Sequence, residues 1–348
     1  MNILFDIFYK YKTPLNHEGS TCQQYLDNLL SDYICDIQKA CYGSDERQLS
    51  NIIIDKVLSM VPIMEETKEK LIQTIVCSDN KQDEKATIIF FDMMDSLKPY
   101  IPCGYAGGFR EEIYYRMRED DGTFELERKE LFHVPLSKKD KASANRYSMK
   151  GNPCLYLSSQ PQLCWYECDQ PNVFAISKFL IPQKKENTLY FLDFSQKSCV
   201  FSHDISTSLK NARDDKERAR IENILLGNIV IFPLRAACSL ITCSESDNKE
   251  EYIIPQLLLK WIEQDTLFHG IKYESVSKYS EAHPYGGANI VFVSKGFDED
   301  GYAINLRKTI KVTTPKKYDL TAYSLKDGIE NYLFSLGLDK GPEDFEYF

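Results

Sequence analysis

Residues 145–168 read NRYSMKGNPCLYLSSQPQLCWYEC, and this stretch says most about the fold and the chemistry. Arg146 and Tyr147 come first, in a turn. Pro153 to Ser158 reads as a short buried strand that carries Tyr156. Ser159 with Gln162 three residues on has the pattern of a capping box. The helix it predicts carries Trp165 and Glu167. A guanidinium, two phenols and a carboxylate are thereby held by a turn–strand–helix unit. That combination suits an anionic, sugar-containing ligand better than it suits a hydrophobic core.

Working outward, the 348-residue chain is 43% hydrophobic and 27% charged, the balance of a protein with a sizeable core and room for two domains. The net charge of −10 repels a phosphate backbone, so direct nucleic-acid binding is not expected. A local basic pocket for a small phosphate compound remains compatible with it. The eleven cysteines are scattered, odd in number and free of CxxC spacing, which reads as reduced thiols. Cys164 and Cys168 could share a helix face near Cys154, but no suitable fourth ligand is near in sequence, so no metal site is expected there. The N-terminus, MNILFDIFYKYKTPL, lacks a basic lead and a continuous apolar run, so no signal peptide is expected. The apolar run at Gly227–Ile241 is broken by Asn228, Pro233 and Arg235, so no membrane span is expected. A cytoplasmic protein follows as the expectation.

The first hundred residues predict a small helical module. Leu26, Leu29, Leu30, Tyr33, Ile34 and Ile37 recur at helical spacing, as do Ile53, Ile54, Val57, Leu58 and Val61. Lys68–Cys77 and Thr87–Leu97 predict two more helices, with a loop at Ser78–Lys85. KPYIPCGYAGGF at 98–109 is rich in proline and glycine and predicts a domain boundary. Beyond it, Ile113–Met117, Leu189–Phe194, Asn228–Phe232, Gly270–Val276 and Ala288–Val293 read as strands. EYIIPQLLLKWIEQD reads as a helix, with Pro255 in its first turn. The mixed charge run NARDDKERARIE at 211–222 reads as an exposed helix face. Residues 298–348 carry no strong signal. The expected class is α+β, with a small all-α domain at 1–100 and a mixed-sheet domain at 101–348 whose core is about 110–295.

Further segments extend the pattern: YYRMR at 114–118, ELFHVPLSKKDKASANRYSMKGNPCLYLSS at 130–159, CWYE at 164–167, YIIPQLLLKWI at 252–262 and GIKYESVS at 270–277. In this order and spacing they resemble the RES-domain proteins, in their longer form with a helical N-terminal extension. These are bacterial proteins named for an arginine, a glutamate and a serine, and they are often the toxin half of toxin–antitoxin pairs. The resemblance implies an ADP-ribosyltransferase-like fold, a mixed sheet with flanking helices. It also implies that NAD is consumed as a substrate, with no other cofactor and no metal. It assigns Glu167, Arg116 and Ser275 to catalysis, and Arg146, Tyr147, Tyr156 and Arg118 to NAD binding. Two departures stand out. Many relatives have asparagine where this chain has Ser148, and long relatives often read Trp-Glu-Glu where Tyr166 stands here. The implied activity is cleavage of the nicotinamide–ribose bond by hydrolysis or phosphorolysis, in a toxin or defence effector. Transfer of ADP-ribose to a protein would use the same pocket, and a non-catalytic sensor would retain only the fold. A helix-turn-helix antitoxin and a homodimer are the partners the family suggests.

The chemistry gives these residue types their own reasons. Guanidinium forks pair phosphate oxygens bidentately. Cleavage passes through an oxocarbenium-like sugar, and a carboxylate stabilises that charge or orients the attacking water. Phenols stack on the nicotinamide ring. Each residue has a plainer alternative as well. Arg118 reads as an outward strand residue in a salt bridge, Tyr156 and Trp165 as core, and Glu167 as a solvated helix residue. His133 has no acidic or serine partner at a telling spacing and is expected to be structural. The helical N-terminal module is similar to HEPN-type domains found beside RES domains. The RNA-cleaving forms place a histidine shortly after an arginine. Here His17 is the one histidine in the first hundred residues and no arginine precedes it, so no ribonuclease is expected.

Overall fold

The computed structural model describes residues 3–17, 19–42, 51–106, 112–122, 125, 127–182, 189–242, 249–276, 287–321, 326–338 and 344–348. Residues 107–109 of the expected boundary segment lie outside these ranges. The helices in chain order are α1 Ile3–Lys10, α2 Cys22–Tyr42, α3 Asn51–Ser59, α4 Val61–Asp79, α5 Asp83–Leu97, α6 Pro161–Glu167, α7 Ser198–Lys210, α8 Asp215–Cys238, α9 Ile253–Gln264, α10 Ile304–Thr309 and α11 Lys326–Leu338. The strands are β1 Cys103–Ala106, β2 Glu112–Glu119, β3 Cys154–Ser158, β4 Val173–Ile181, β5 Leu189–Phe194, β6 Phe268–Glu274, β7 Ala288–Val293, β8 Lys311–Val312 and β9 Lys316–Asp319. The fold is therefore α+β, with a helical N-terminal region.

The chain divides into two units, one of residues 1–102 and 196–261, the other of 103–195 and 262–348. The expected cut into 1–100 and 101–348 thus gives way to a discontinuous first unit. The reason is α8. From Leu225 to Cys238 it is buried at nearly every position, and it packs on α3, α4 and α7. An all-round apolar helix needs helical neighbours on every side. The strand expected at Asn228–Phe232 is the middle of this helix. A fully buried apolar run carries no period to separate the two states, so its sequence is ambiguous. By length and composition α8 could cross a membrane, but 78% of its apolar window is buried.

Pro233 lies inside α8 without ending it. Proline has no N–H, so the Ile229 carbonyl loses its helical partner four residues on. Tyr33 supplies the substitute. Its hydroxyl donates to Ile229 O at 2.9 Å, and its ring stacks on Phe232 with centroids 4.2 Å apart.

In the second unit eight strands form one mixed sheet, ordered β1-β5-β6-β7-β3-β2-β4-β8, and β9 also pairs with β4. All neighbours are antiparallel except β5 and β6. Strand alternation sorts the side chains onto two faces. One face buries Tyr114, Leu155, Leu157, Phe179, Ile290 and Phe292. Tyr115, Met117, Phe174 and Ile176 lie on the other, under Cys164, Trp165 and Tyr166 of α6. At Gly270 a Cβ would collide with the Val291 carbonyl oxygen, so the glycine of the HGIKYE segment lets β6 and β7 approach.

The segment after residue 298 completes the sheet. It contributes β8 and β9. Arg128 donates to Val312 O at 2.9 Å and pairs with Asp344 at 2.9 Å, and Phe348 packs on the first face against Phe132. His133 is structural, as its sequence context suggested. Nδ1 donates to Val134 O at 2.8 Å and Nε2 accepts the Ala303 N–H at 2.9 Å. The ring is therefore neutral, and burial is the main cause pulling its pKa from 6.5 to about 4.

Two stability predictions follow from these contacts. Tyr33→Phe leaves Ile229 O without its donor in a buried site, and a denaturant midpoint series should show a loss of about 1–3 kcal/mol. His133 binds a proton more readily unfolded than folded. Its contribution is therefore whole above pH 6.5 and disappears as pH falls towards 4. The difference amounts to about 3 kcal/mol. Melting temperatures across that window should fall more steeply for the wild type than for His133→Gln, which cannot charge.

Candidate active site

The site lies on the α6 face of the second unit. Tyr115 pairs with Ser158 across β2 and β3, Ser158 with Asn289 across β3 and β7, and Tyr273 with Asn289 across β6 and β7. Paired residues share a face, so Tyr273, Asn289 and Ser158 point the same way. Tyr156, two residues before Ser158, joins them.

Glu167 ends α6, and its residue is exposed. Its carboxylate is nevertheless fixed. Oε1 accepts from the Ser275 hydroxyl at 2.5 Å and from Asn289 Nδ2 at 2.9 Å. Asn289 Oδ1 in turn accepts from Ser158 Oγ at 2.5 Å. Ser275, Asn289 and Ser158 are all buried, so the exposed acid is held by a buried polar chain. Among the described residues both bonds fall on Oε1, which orients Oε2 for something else.

The aromatic side of the site is built on the turn at 145–148, closed by the Asn145 N–H on Ser148 O at 2.8 Å. Tyr147 is fully buried and packs on Tyr273, centroids 4.5 Å apart and planes at 47°. The Tyr156 hydroxyl donates to Ser148 Oγ at 2.9 Å. Ser148 thus positions the phenol. Burial raises the pKa of Tyr273 far above its ordinary value, with Tyr156, Glu167 and Tyr147 adding to it and Arg146 opposing it. Burial also raises Tyr156 strongly. Both phenols stay protonated at neutral pH. Arg146 is buried beside them.

Glu167, Ser275, Arg146, Tyr147 and Tyr156 are therefore brought together. Of the two remaining arginines, Arg118 is not. Arg116 lies in β2, and its charge meets Cys168, Cys164 and Tyr156 as well as His133. Its Nη1 reaches the Tyr156 carbonyl at 3.3 Å. Arg118 is exposed and meets Glu130 at 4.0 Å, the plain strand-surface reading. Tyr273 and Asn289 were missed as site residues. Tyr273 stands two positions before Ser275, and that period-2 spacing was the available signal. Asn289 carried none, because its role depends on register with β3.

The capping box expected at Ser159 and Gln162 does not form. Gln160 is the N-cap, makes no side-chain cap bond, and Pro161 fills the first turn. Ser159 exchanges bonds with Ala288 instead: its N–H donates to Ala288 O and its Oγ accepts the Ala288 N–H, both at 2.9 Å. The serine joins β3 to β7 and sets the entry of α6. Trp165 and Cys164 are packing residues. Trp165 Nε1 donates to Pro171 O at 2.9 Å, and the Cys164 thiol to Tyr115 O at 3.2 Å.

No family model matches the chain, and no solved structure matches it. Over an alignment of 345 positions that covers 94% of this chain and 73% of the other protein, it is 24% identical to a Bacillus subtilis (strain 168) protein named "Putative toxin YopC".

Proposed function

We propose that the chain is an NAD-degrading enzyme of the RES type that cleaves the nicotinamide–ribose bond and acts as a toxin. The observation that carries this reading is Glu167. A carboxylate at a helix end, tied through one oxygen to Ser275 and Asn289, is preorganised on rigid elements. Asn289 holds it over the sheet face of Tyr156 and Tyr273, and Tyr147 and the Arg146 charge also act on Tyr273, the set that a positively charged pyridinium, a ribose and a pyrophosphate require. The likeness to a toxin-named relative supports the biological role.

In this reading Arg146 binds the pyrophosphate, and Tyr147 with Tyr273 forms the aromatic wall for the nicotinamide. Tyr156 is oriented by Ser148 to donate to a ribose or phosphate oxygen. As the C1′–N bond breaks, its electron pair neutralises the pyridinium and the sugar takes on positive charge. Oε2 of Glu167 stabilises that charge and directs water or phosphate to C1′. Hydrolysis gives nicotinamide, ADP-ribose and a proton. Phosphorolysis gives nicotinamide and the 1″-phosphate of ADP-ribose. Transfer to a protein side chain would need only a different acceptor in the same place.

Incubating the purified chain with NAD, with and without phosphate, should release nicotinamide. The identity of the sugar product separates the acceptors. Glu167→Gln should lower kcat by about a hundred- to a thousandfold, because the charge it meets exists only near the transition state. Arg146→Ala should mainly raise KM, because substrate and transition state share the phosphate contact. Release of nicotinamide at the wild-type rate by folded Glu167→Gln would overturn the assignment.

A further inference from the structure

A second cluster lies in the first unit, apart from the residues discussed so far. His17, just before α2, Cys22 at its first turn and Glu251 just before α9 are all buried. One ligand atom from each converges, and the three lie within 4.8 Å of one another. His17 Nε2 is 3.1 Å from Glu251 Oε1 and 3.8 Å from Cys22 Sγ. Ligands on a tetrahedral zinc ion, at ordinary bond lengths, stand about 3.3–3.7 Å apart. The two separations from His17 Nε2 lie within a few tenths of an ångström of that spacing.

The protonation logic points the same way. His17 Nδ1 is 3.2 Å from the Ser20 carbonyl oxygen. A carbonyl only accepts, so Nδ1 carries the hydrogen. In a neutral ring Nε2 is then a lone pair, aimed at a carboxylate oxygen and a sulfur. A backbone carbonyl that fixes Nδ1–H and so exposes Nε2 is the usual support of a metal-binding histidine. Glu250 adds negative charge nearby, its Oε2 accepting the Cys22 N–H at 3.2 Å.

We propose that His17, Cys22 and Glu251 form a site for a zinc-class divalent cation that ties the start of α2 to the segment before α9. Thiolate, imidazole and carboxylate together favour zinc over calcium or magnesium, which prefer all-oxygen ligands. Binding displaces the Cys22 thiol proton to solvent. The two ends of the site are more than two hundred residues apart in sequence yet belong to one unit, so its role is to stabilise that unit.

The test uses the full chain with any affinity tag removed, stripped by chelation and then titrated with zinc or cobalt(II) alone. The expected result is about one equivalent of zinc retained per chain and a rise in melting temperature on loading. The cobalt form should show a thiolate charge-transfer band with tetrahedral ligand-field bands. Cys22→Ser should abolish the charge-transfer band and weaken zinc binding by roughly a hundredfold or more. Glu251→Gln should keep that band but shift the ligand-field bands, which serves if the serine variant does not fold. A stripped wild-type chain that gains neither the band nor thermal stability overturns the site and leaves a proton-shared His17–Glu251 pair. A band that persists in folded Cys22→Ser overturns it equally, since the metal would then sit on other thiols.

Discussion

The carboxylate of Glu167 is held to the sheet by two hydrogen bonds on the same oxygen, and much of the second unit is arranged around that anchorage. An exposed glutamate at a helix end ordinarily samples several rotamers, and ordering it has an entropic cost. Ser275 and Asn289 offset that cost because both are buried, and charge-assisted bonds from fixed donors are stronger than neutral ones. For them to reach Glu167, α6 must leave β3 at one angle. The paired bonds between Ser159 and Ala288 and the proline in the first turn set it. The close approach of β6 and β7 at Gly270 then brings Tyr273 into line with Asn289.

The two faces of the sheet divide the labour. The face carrying Tyr114, Leu155, Phe179 and Phe292 is a dry core, closed by the C-terminal Phe348 and by a neutral His133. The face under α6 mixes apolar packing with the polar chain Ser158–Asn289–Glu167–Ser275. A buried polar chain is stable only when its members are satisfied, and here each bond uses a distinct donor.

The first unit solves a different problem. Its central helix is apolar on all sides and contains a proline. That arrangement survives because Tyr33, from a helix about two hundred residues earlier in sequence, replaces the missing backbone donor. Long-range side chains also close the unit elsewhere: the Ser202 hydroxyl donates to the Phe5 carbonyl at 3.2 Å, and His17 faces Glu251.

Much of this was legible in the sequence. The helices of residues 22–97 follow from apolar spacing, and the strands β2, β3, β5, β6 and β7 from short β-branched and aromatic runs. The turn, strand and helix that carry Arg146, Tyr147, Tyr156 and Glu167 follow from the local pattern, because turn–strand–helix geometry is largely a local property, whereas Ser275 was implied by the family resemblance. Tertiary structure decided the rest. Residues 225–238 form a helix and not a strand, because complete burial erases the periodicity that tells them apart. Asn289 and Tyr273 face the site, because facing depends on strand register, a relation between distant segments. The tail after residue 298 carries no pattern of its own, yet its strands and its last phenylalanine complete the sheet and its core. Those contacts exist only once the partner surfaces are built.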